Sequence, residues 1–267
     1  MNNITDETNN ITDDITVSFN STLVNTTNKF LINNQSIYEQ VDLYINTKPN
    51  KFFQVNDYYN LTGSRDASLY YHLKRITDIV LSIMVAIVFL PIGFISAILI
   101  KLEDKGPIFF SQTRIGKNGK PFTMYKFRSM CLGAESKLIS LSALNERDGP
   151  VFKIKNDPRV TKIGRFIRRT CLDELPQLIN IIKGDMSIVG PRPPIIYEVE
   201  KYTPYQAHRL DIKPGLTCYW QISNKDLVTF DQWIDMDIKY IKECSLLIDL
   251  QMILKTVIFI FKRRGDT

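Results

Sequence analysis

Between Ile79 and Ile100 the chain reads IVLSIMVAIVFLPIGFISAILI, 22 residues without a charged side chain. Any fold must find an apolar home for this run. As a helix it is long enough to cross a bilayer core of roughly 30 Å. Pro91 stands near its middle, followed by Gly93, and proline removes a backbone donor and kinks a helix. Lys74 and Arg75 precede the run, and Lys101 and Lys105 follow it. With both flanks basic, the positive-inside rule sets no orientation. On physics alone a tilted, proline-kinked spanning helix is the ordinary outcome. The alternative is a kinked helix that dips into one leaflet and returns, which keeps both flanks on the cytoplasmic side. A second apolar segment, Ser245 to Arg264 (SLLIDLQMILKTVIFIFKRR), carries Asp249, Lys255 and a basic end. It suits a helix lying in the membrane interface near anionic headgroups, or equally a helix buried in a core.

Charge is spread unevenly too. The formal net charge of the 267 residues is +6. Residues 1–70 hold four basic and eight acidic side chains, a net of −4, which leaves +10 on residues 71–267. A basic body of this kind attracts polyanions: nucleic acid, anionic lipid or phosphorylated substrates. A merely solvated basic surface is the plain alternative. The leading stretch is rich in Asn, Thr and Ile, buries little apolar surface and is expected to be at least partly disordered. Cys131, Cys171, Cys218 and Cys244 lie far apart with no CxxC pair, which points to reduced thiols and away from a disulfide framework or zinc site. With only His72 and His208 in the chain, histidine triads and HExxH sites are nearly excluded. Chemistry then falls to carboxylates, which suit a hard ion such as Mg2+.

The carboxylates stand out in RRTCLDELPQLINIIKGDMSIVGPRPP, Arg168 to Pro194. Proline is tolerated in a helix's first turn and not in its interior. Pro176 therefore predicts a helix from Leu172 or Asp173 to about Lys183, with Gly184 as its stop. Asp173 and Glu174 would then sit in the first turn, where the helix dipole keeps them ionised and favours bound phosphate. Acidic residues often occupy a first turn for the dipole alone. If they are chemical, they bind magnesium or attack phosphorus, and nearby arginines neutralise charge developing on a phosphoryl group. Arg192, between Pro191 and Pro193, has a restrained backbone that suits bidentate phosphate recognition.

Upstream, two β-prone runs flank Asn118-Gly119, the signal of a type I′ hairpin turn. Alternation along the second run puts Lys126 and Arg128 on one face, where they hold a phosphate or are simply solvated. Lys162, Arg165, Arg168 and Arg169 fall close to helical spacing and make a basic stripe. A nucleic-acid partner would account for it, but no RRM, KH, zinc-finger or helix-turn-helix signature is present.

These pieces occur in a fixed order: KRITDIV (74–80), the proline-broken apolar run, GPIFFSQTRIGKNGKPFTMYKFRSM (106–130), GRFIRRTCLDELPQLINIIKGDMSIVGPRPP (164–194), KPGLTCYWQISNK (213–225), MDIKYI (236–241) and SLLIDLQMILKT (245–256). Over roughly residues 72 to 264 the chain closely resembles the bacterial-type sugar transferases, the monotopic polyprenyl-phosphate phosphoglycosyl transferases. The resemblance implies an α+β, predominantly helical fold with a β-hairpin, a proline-kinked re-entrant helix in place of the spanning one, and interfacial amphipathic helices. The implied organisation is a polar leader over 1–70, the membrane helix over 71–105 and a cytosol-facing catalytic domain over 106–267, on the cytoplasmic face of a membrane. Many relatives carry further N-terminal membrane helices and a soluble domain, so the chain looks like a minimal catalytic unit.

The implied reaction moves sugar-1-phosphate from a UDP-sugar to a polyprenol phosphate and releases UMP. By position Asp173 is the nucleophile that forms a covalent phosphosugar intermediate. Glu174, with Asp173, helps hold Mg2+ or orient the phosphates. Lys126, Arg128, Arg168 and Arg192 match the family's phosphate contacts, and Asp237 matches a carboxylate near the nucleotide. The partners implied are the UDP-sugar, the polyprenol phosphate and membrane lipid, with room for a homo-oligomer and with no nucleic acid. Cys218 and Tyr219 replace small residues, and Asn224-Lys225 ends that motif differently, which bears on donor preference. A non-catalytic membrane scaffold with a degenerate site is the competing reading.

Overall fold

The computed structural model describes residues 65–223 and 228–263, so the leader up to residue 64 and Asn224-Lys225 lie outside the described residues. Helix α1, Arg65–Asp104, is 40 residues long with Pro91 inside it, about 60 Å at the helical rise. Among the described residues it is the one helix long and apolar enough to cross a membrane. Its inward stripe is small or polar: Asp78, Ser82 and Ser96 are buried along with Ile100, Ala86, Phe89 and Ala97 pack into two core clusters, and Gly93 faces the Phe127 ring. These positions recur every three or four residues, which is one helical face. The opposite face is apolar and bare, with Ile87, Leu90, Phe94 and Leu102 all more than two-thirds exposed. That inverts the usual pattern of a surface helix, whose apolar stripe faces the core. The apolar run therefore stays on the protein body along its length.

Strands β1, Phe109–Ile115, and β2, Pro121–Phe127, form the expected antiparallel hairpin, with Phe109 opposite Phe127 and Arg114 opposite Phe122. Asn118 and Gly119 have φ of 57° and 74°, the positive pair that a primed turn needs. Helix α2, Lys162–Arg169, starts at Thr161, whose hydroxyl accepts from the Gly164 N–H at 2.9 Å. It buries Ile167 and leaves its basic stripe outward. Helix α3, Gln177–Lys183, stops at Gly184 (φ 94°) as expected. The Arg75 guanidinium on α1 donates to the Ile181 and Ile182 carbonyls at 2.5 and 2.7 Å, satisfying acceptors that a helix end leaves open.

A second sheet was not legible in the sequence. Strand β3, Ser187–Val189, pairs in parallel with β4, Gly215–Thr217; three residues each is too short for a period-2 pattern to register. Helix α4, Phe230–Glu243, begins with a Thr229–Gln232 capping box, and α5, Leu246–Arg263, follows. Trp220 and Trp233 stack at 4.2 Å in the main core with Ile234, Ile241 and Met252. Helix α5 has one buried face and one bare apolar face. Asp249 and Met252 face the core, while Leu247, Leu250, Leu254 and Ile258 are more than half exposed on the other side. The ends of α1 and α5 are tied by Lys74, whose ammonium lies 2.7 Å from Asp249; the Tyr240 hydroxyl donates to the same carboxylate at 2.6 Å. The described residues are thus mostly helical with two small sheets and one long apolar helix.

Candidate active site

Asp173 and Glu174 lie in a 3-10 turn, Leu172–Glu174, before α3 and not in its first turn. Pro176 is the reason. In an α-helix its ring clashes with the carbonyl four residues back, which is that of Leu172, so the chain takes the tighter i to i+3 pattern. The Leu175 N–H bonds the Leu172 carbonyl at 3.2 Å. Cys171 enters the turn at φ 57°, uncommon for a side-chain-bearing residue. Leu172 anchors the turn in a cluster with Phe89, Ala97 and Ile100 of α1, Phe127 and Ile167. The acidic pair is thereby fixed against the membrane-type helix.

The electrostatics also differ from a dipole-stabilised pair. Asp173 is 8% exposed. Burial, reinforced by the neighbouring Glu174 carboxylate, pushes its carboxyl up to about 6, while Lys126 and Arg168 pull the other way. Asp173 is mainly charged at neutral pH, as expected, but far more basic than a free aspartate. Glu174 is half-buried and accepts from the Lys126 ammonium at 3.0 Å. Arg168 keeps its position through an Nε–H bond to the Ser129 hydroxyl at 2.7 Å.

A polar cleft beside Glu174 is lined by Arg114, Lys126, Gln177, Arg192 and Gln221. Its enclosed part is about 20 Å³, room for one oxygen-sized group, so a larger ligand lies across its mouth. Residues 69–263 match the family described as bacterial sugar transferase.

The chain belongs to the bacterial sugar transferase family.

Among relatives, it is 45% identical over 202 residues to the galactosyl transferase CpsE of Streptococcus agalactiae serotype III, a match covering 74% of this chain and 44% of that one. It is 42% identical over 200 residues to the undecaprenyl-phosphate galactose phosphotransferase of Salmonella typhimurium, covering 72% and 41%. It is 38% identical over 193 residues to the UDP-glucose:undecaprenyl-phosphate glucose-1-phosphate transferase of Escherichia coli K12, covering 69% and 39%. The chain spans less than half the length of these relatives.

Within this member of the family the expected site residues divide. Lys126, Glu174 and Arg192 line one cleft, and Asp173 and Arg168 stand next to it. Arg128 is placed elsewhere. Its guanidinium is clamped by both Asp104 carboxylate oxygens, and its Nε–H donates to the Pro107 carbonyl at 2.5 Å, locking the exit of α1. Asp237 is buried under the site, 2.7 Å from the Arg209 guanidinium, though neither carboxylate oxygen receives a well-aligned hydrogen bond. Burial pushes Asp237 up to about 6 against the pull of Arg209. Arg209 in turn donates to the Arg192 carbonyl at 3.2 Å and the Tyr202 hydroxyl at 2.7 Å. Asp237 thus reaches the cleft through Arg209 and the loop holding Arg192, whose guanidinium lies 5.7 Å above Trp233.

The sequence reading missed Arg114. The hairpin register held a usable signal: Arg114, opposite Phe122, has the same strand parity as Phe110, opposite Lys126, so Arg114 and Lys126 share a face. Among the described residues no three acidic, histidine or cysteine side chains cluster as a self-sufficient metal cage. Magnesium is commonly held by one or two carboxylates together with substrate phosphates, and adjacent Asp173 and Glu174 fit that donor set. Cys218 is buried in the main core, and Tyr219 lies edge-on to Tyr240.

Proposed function

We propose that this chain is a phosphoglycosyl transferase, moving sugar-1-phosphate from a UDP-sugar to a polyprenol phosphate at a membrane surface and so initiating polysaccharide assembly. The observation that carries the reading is the placement of Asp173: a buried, basic carboxylate among Lys126, Arg168 and Glu174, in a turn packed on the apolar helix α1. A water-soluble donor can reach it from the cleft and a lipid acceptor from the side of α1. The relatives' names supply the substrate classes.

In the first step an Asp173 oxygen attacks the β-phosphorus of the donor. The P–O bond to the α-phosphate breaks, and UMP leaves with the electron pair. In the second step a phosphate oxygen of the polyprenol phosphate attacks the same phosphorus. The acyl-phosphate bond between the Asp173 oxygen and phosphorus breaks, its electron pair returning to the carboxylate, giving polyprenyl-diphosphate-sugar and free Asp173. The raised basicity of Asp173 favours attack, because a more basic carboxylate is a stronger nucleophile. Lys126 and Arg192 hold the phosphate oxygens, and Arg168 offsets charge that develops at phosphorus. Glu174, with Asp173, would hold Mg2+, which supplies charge neutralisation on the diphosphate.

The apolar outer faces of α1 and α5 are lipid-contacting in this reading. The body, with its basic excess, sits on the cytoplasmic leaflet.

The decisive assay offers a panel of UDP-sugars with Mg2+ and polyprenol phosphate and measures UMP. At least one sugar is expected to release UMP, and Asp173→Asn is expected to lower the rate by a factor of about 10³ or more while remaining folded. An Asp173→Asn enzyme with wild-type turnover removes the nucleophile assignment. Absence of release from every sugar favours the scaffold reading.

A further inference from the structure

Arg114 on β1 is buried, and its contacts are unusual for a buried cation. Its Nη1 donates to the Pro193 carbonyl at 3.0 Å and its Nη2 to the Gln112 side-chain oxygen at 2.7 Å. Its Nε–H is buried without a partner. Both acceptors are neutral, and among the described residues no carboxylate comes within ion-pair reach of it. The charged groups facing it are Arg192 from the Pro191–Pro193 loop, Glu198 from the turn Ile196–Val199, and Glu174 from the 3-10 turn, with Tyr202 nearby. Glu174 is already engaged by Lys126. The cleft therefore gathers three cations, Arg114, Lys126 and Arg192, around one carboxylate, Glu174.

A buried charge without a counter-charge is among the costliest features a fold can carry, and an unsatisfied buried donor calls for an explanation. A bound anion provides one. Burial and then the adjacent Arg192 push the Arg114 guanidinium down to about 9, so the site is under electrostatic tension that an anion relieves. Its fork is held between Gln112 and Pro193, restraining it before any ligand arrives.

We propose that Arg114 is a donor-binding residue, taking a diphosphate oxygen at the inner end of the cleft together with Arg192 and Lys126. The assignment rests on the transferase reading for the identity of the anion, but not for its existence.

A structural role and a ligand role predict opposite outcomes. Removing a structural arginine loses two hydrogen bonds and packing. Removing an unpaired buried charge relieves the free protein and weakens only the ligand-bound state. Arg114→Met and Arg114→Lys are to be compared with wild type, first by thermal unfolding with and without inorganic pyrophosphate or UMP, then by donor kinetics. The expected result has three parts: an Arg114→Met melting temperature equal to or above wild type without ligand, loss of the pyrophosphate-induced shift, and a donor KM raised at least tenfold with a smaller change in kcat. Arg114→Lys should fall between the two, because it keeps the charge and loses the planar fork.

A lowered melting temperature for Arg114→Met with the pyrophosphate shift intact overturns the proposal, as does an unchanged donor KM in an active enzyme. The two readings fail separately. If wild type releases no UMP yet shows an Arg114-dependent pyrophosphate shift, the anion site stands and the transferase reading falls. If wild type turns over and Arg114→Met shares its KM, only Arg114 falls.

Discussion

At the scale of single residues, the buried position of Asp173 carries a stability cost that its proposed role as nucleophile accounts for. Its folded pKa of about 6 lies above the unfolded value of 3.8, so between those values the native state holds more protons than the unfolded one. Stability must then fall as pH rises through that window, and above it the ionised carboxylate costs on the order of 2–3 kcal/mol. Asp173→Asn is accordingly expected to raise the melting temperature of the free protein at pH 7.5, with the gain shrinking towards pH 4. As the proposed nucleophile, the same group would set an acid limb on catalysis: kcat/KM for the donor should fall about tenfold per pH unit below about 6, while above it the rate levels off. Melting curves over pH 4–8 and initial rates on the same buffers test both. An Asp173→Asn enzyme that is less stable at every pH contradicts the burial argument.

The acidic pair was visible in the sequence because its neighbours, Pro176 and the arginines, are distinctive residue types. Strand parity put Arg114 on the Lys126 face, but its further meaning comes from what fails to surround it. A missing counter-ion is a property of packing and leaves no local pattern.

At the scale of elements, the site is held where two short strands pair in parallel, and glycine decides how closely. Gly190 and Gly215 meet back to back, the Gly190 N–H bonding the Thr217 carbonyl at 3.0 Å and the Gly215 N–H bonding the Pro191 carbonyl at 2.8 Å. A Cβ on Gly215 would lie 2.1 Å from the Gly190 nitrogen. The obstruction is backbone, so no rotamer change can relieve it. Gly215→Ala should therefore cost about 3 kcal/mol or more and push Arg192 out of the cleft, lowering UMP release more than the stability loss alone implies. A variant that melts and turns over like wild type would falsify this account of the loop. The hairpin and the end of α3 were legible, since Asn-Gly and Gly184 are local turn and stop signals, and α2 showed in the helical spacing of its basic residues. The dyad's 3-10 turn and the parallel pair β3–β4 were not. The first depends on how far one proline clash reaches, and the second joins segments almost thirty residues apart.

At the scale of the whole molecule, the question left by the opening run is how an apolar helix stays attached to a basic body. Length and apolarity were legible, but the inward stripe was not, because Ser82, Ala86 and Gly93 read as ordinary members of an apolar run. In the fold they are contact positions against the body. A helix that crossed the bilayer alone would have to strip these contacts from Asp78 to Ile100. It would also carry buried Asp78, which accepts from the Ser187 hydroxyl and the Ile188 N–H at 3.1 and 3.0 Å, away from its donors. An unpaired carboxylate in hydrocarbon is expensive. Lying in one leaflet keeps the stripe on the body and gives the bare face lipid, so both ends of α1 should face the same side of the membrane. Cysteines at Tyr71 and Lys105 report this after the partly exposed Cys131, Cys171 and Cys244 are replaced by serine. Lys105 is preferable to Glu103, whose carboxylate accepts from the Lys162 and Ile163 N–H groups at the start of α2. In sealed inverted vesicles a membrane-impermeant maleimide should label both positions to similar extents. Labelling of one position only, with the other reached after detergent is added, would restore the spanning helix and require the stripe to leave the body.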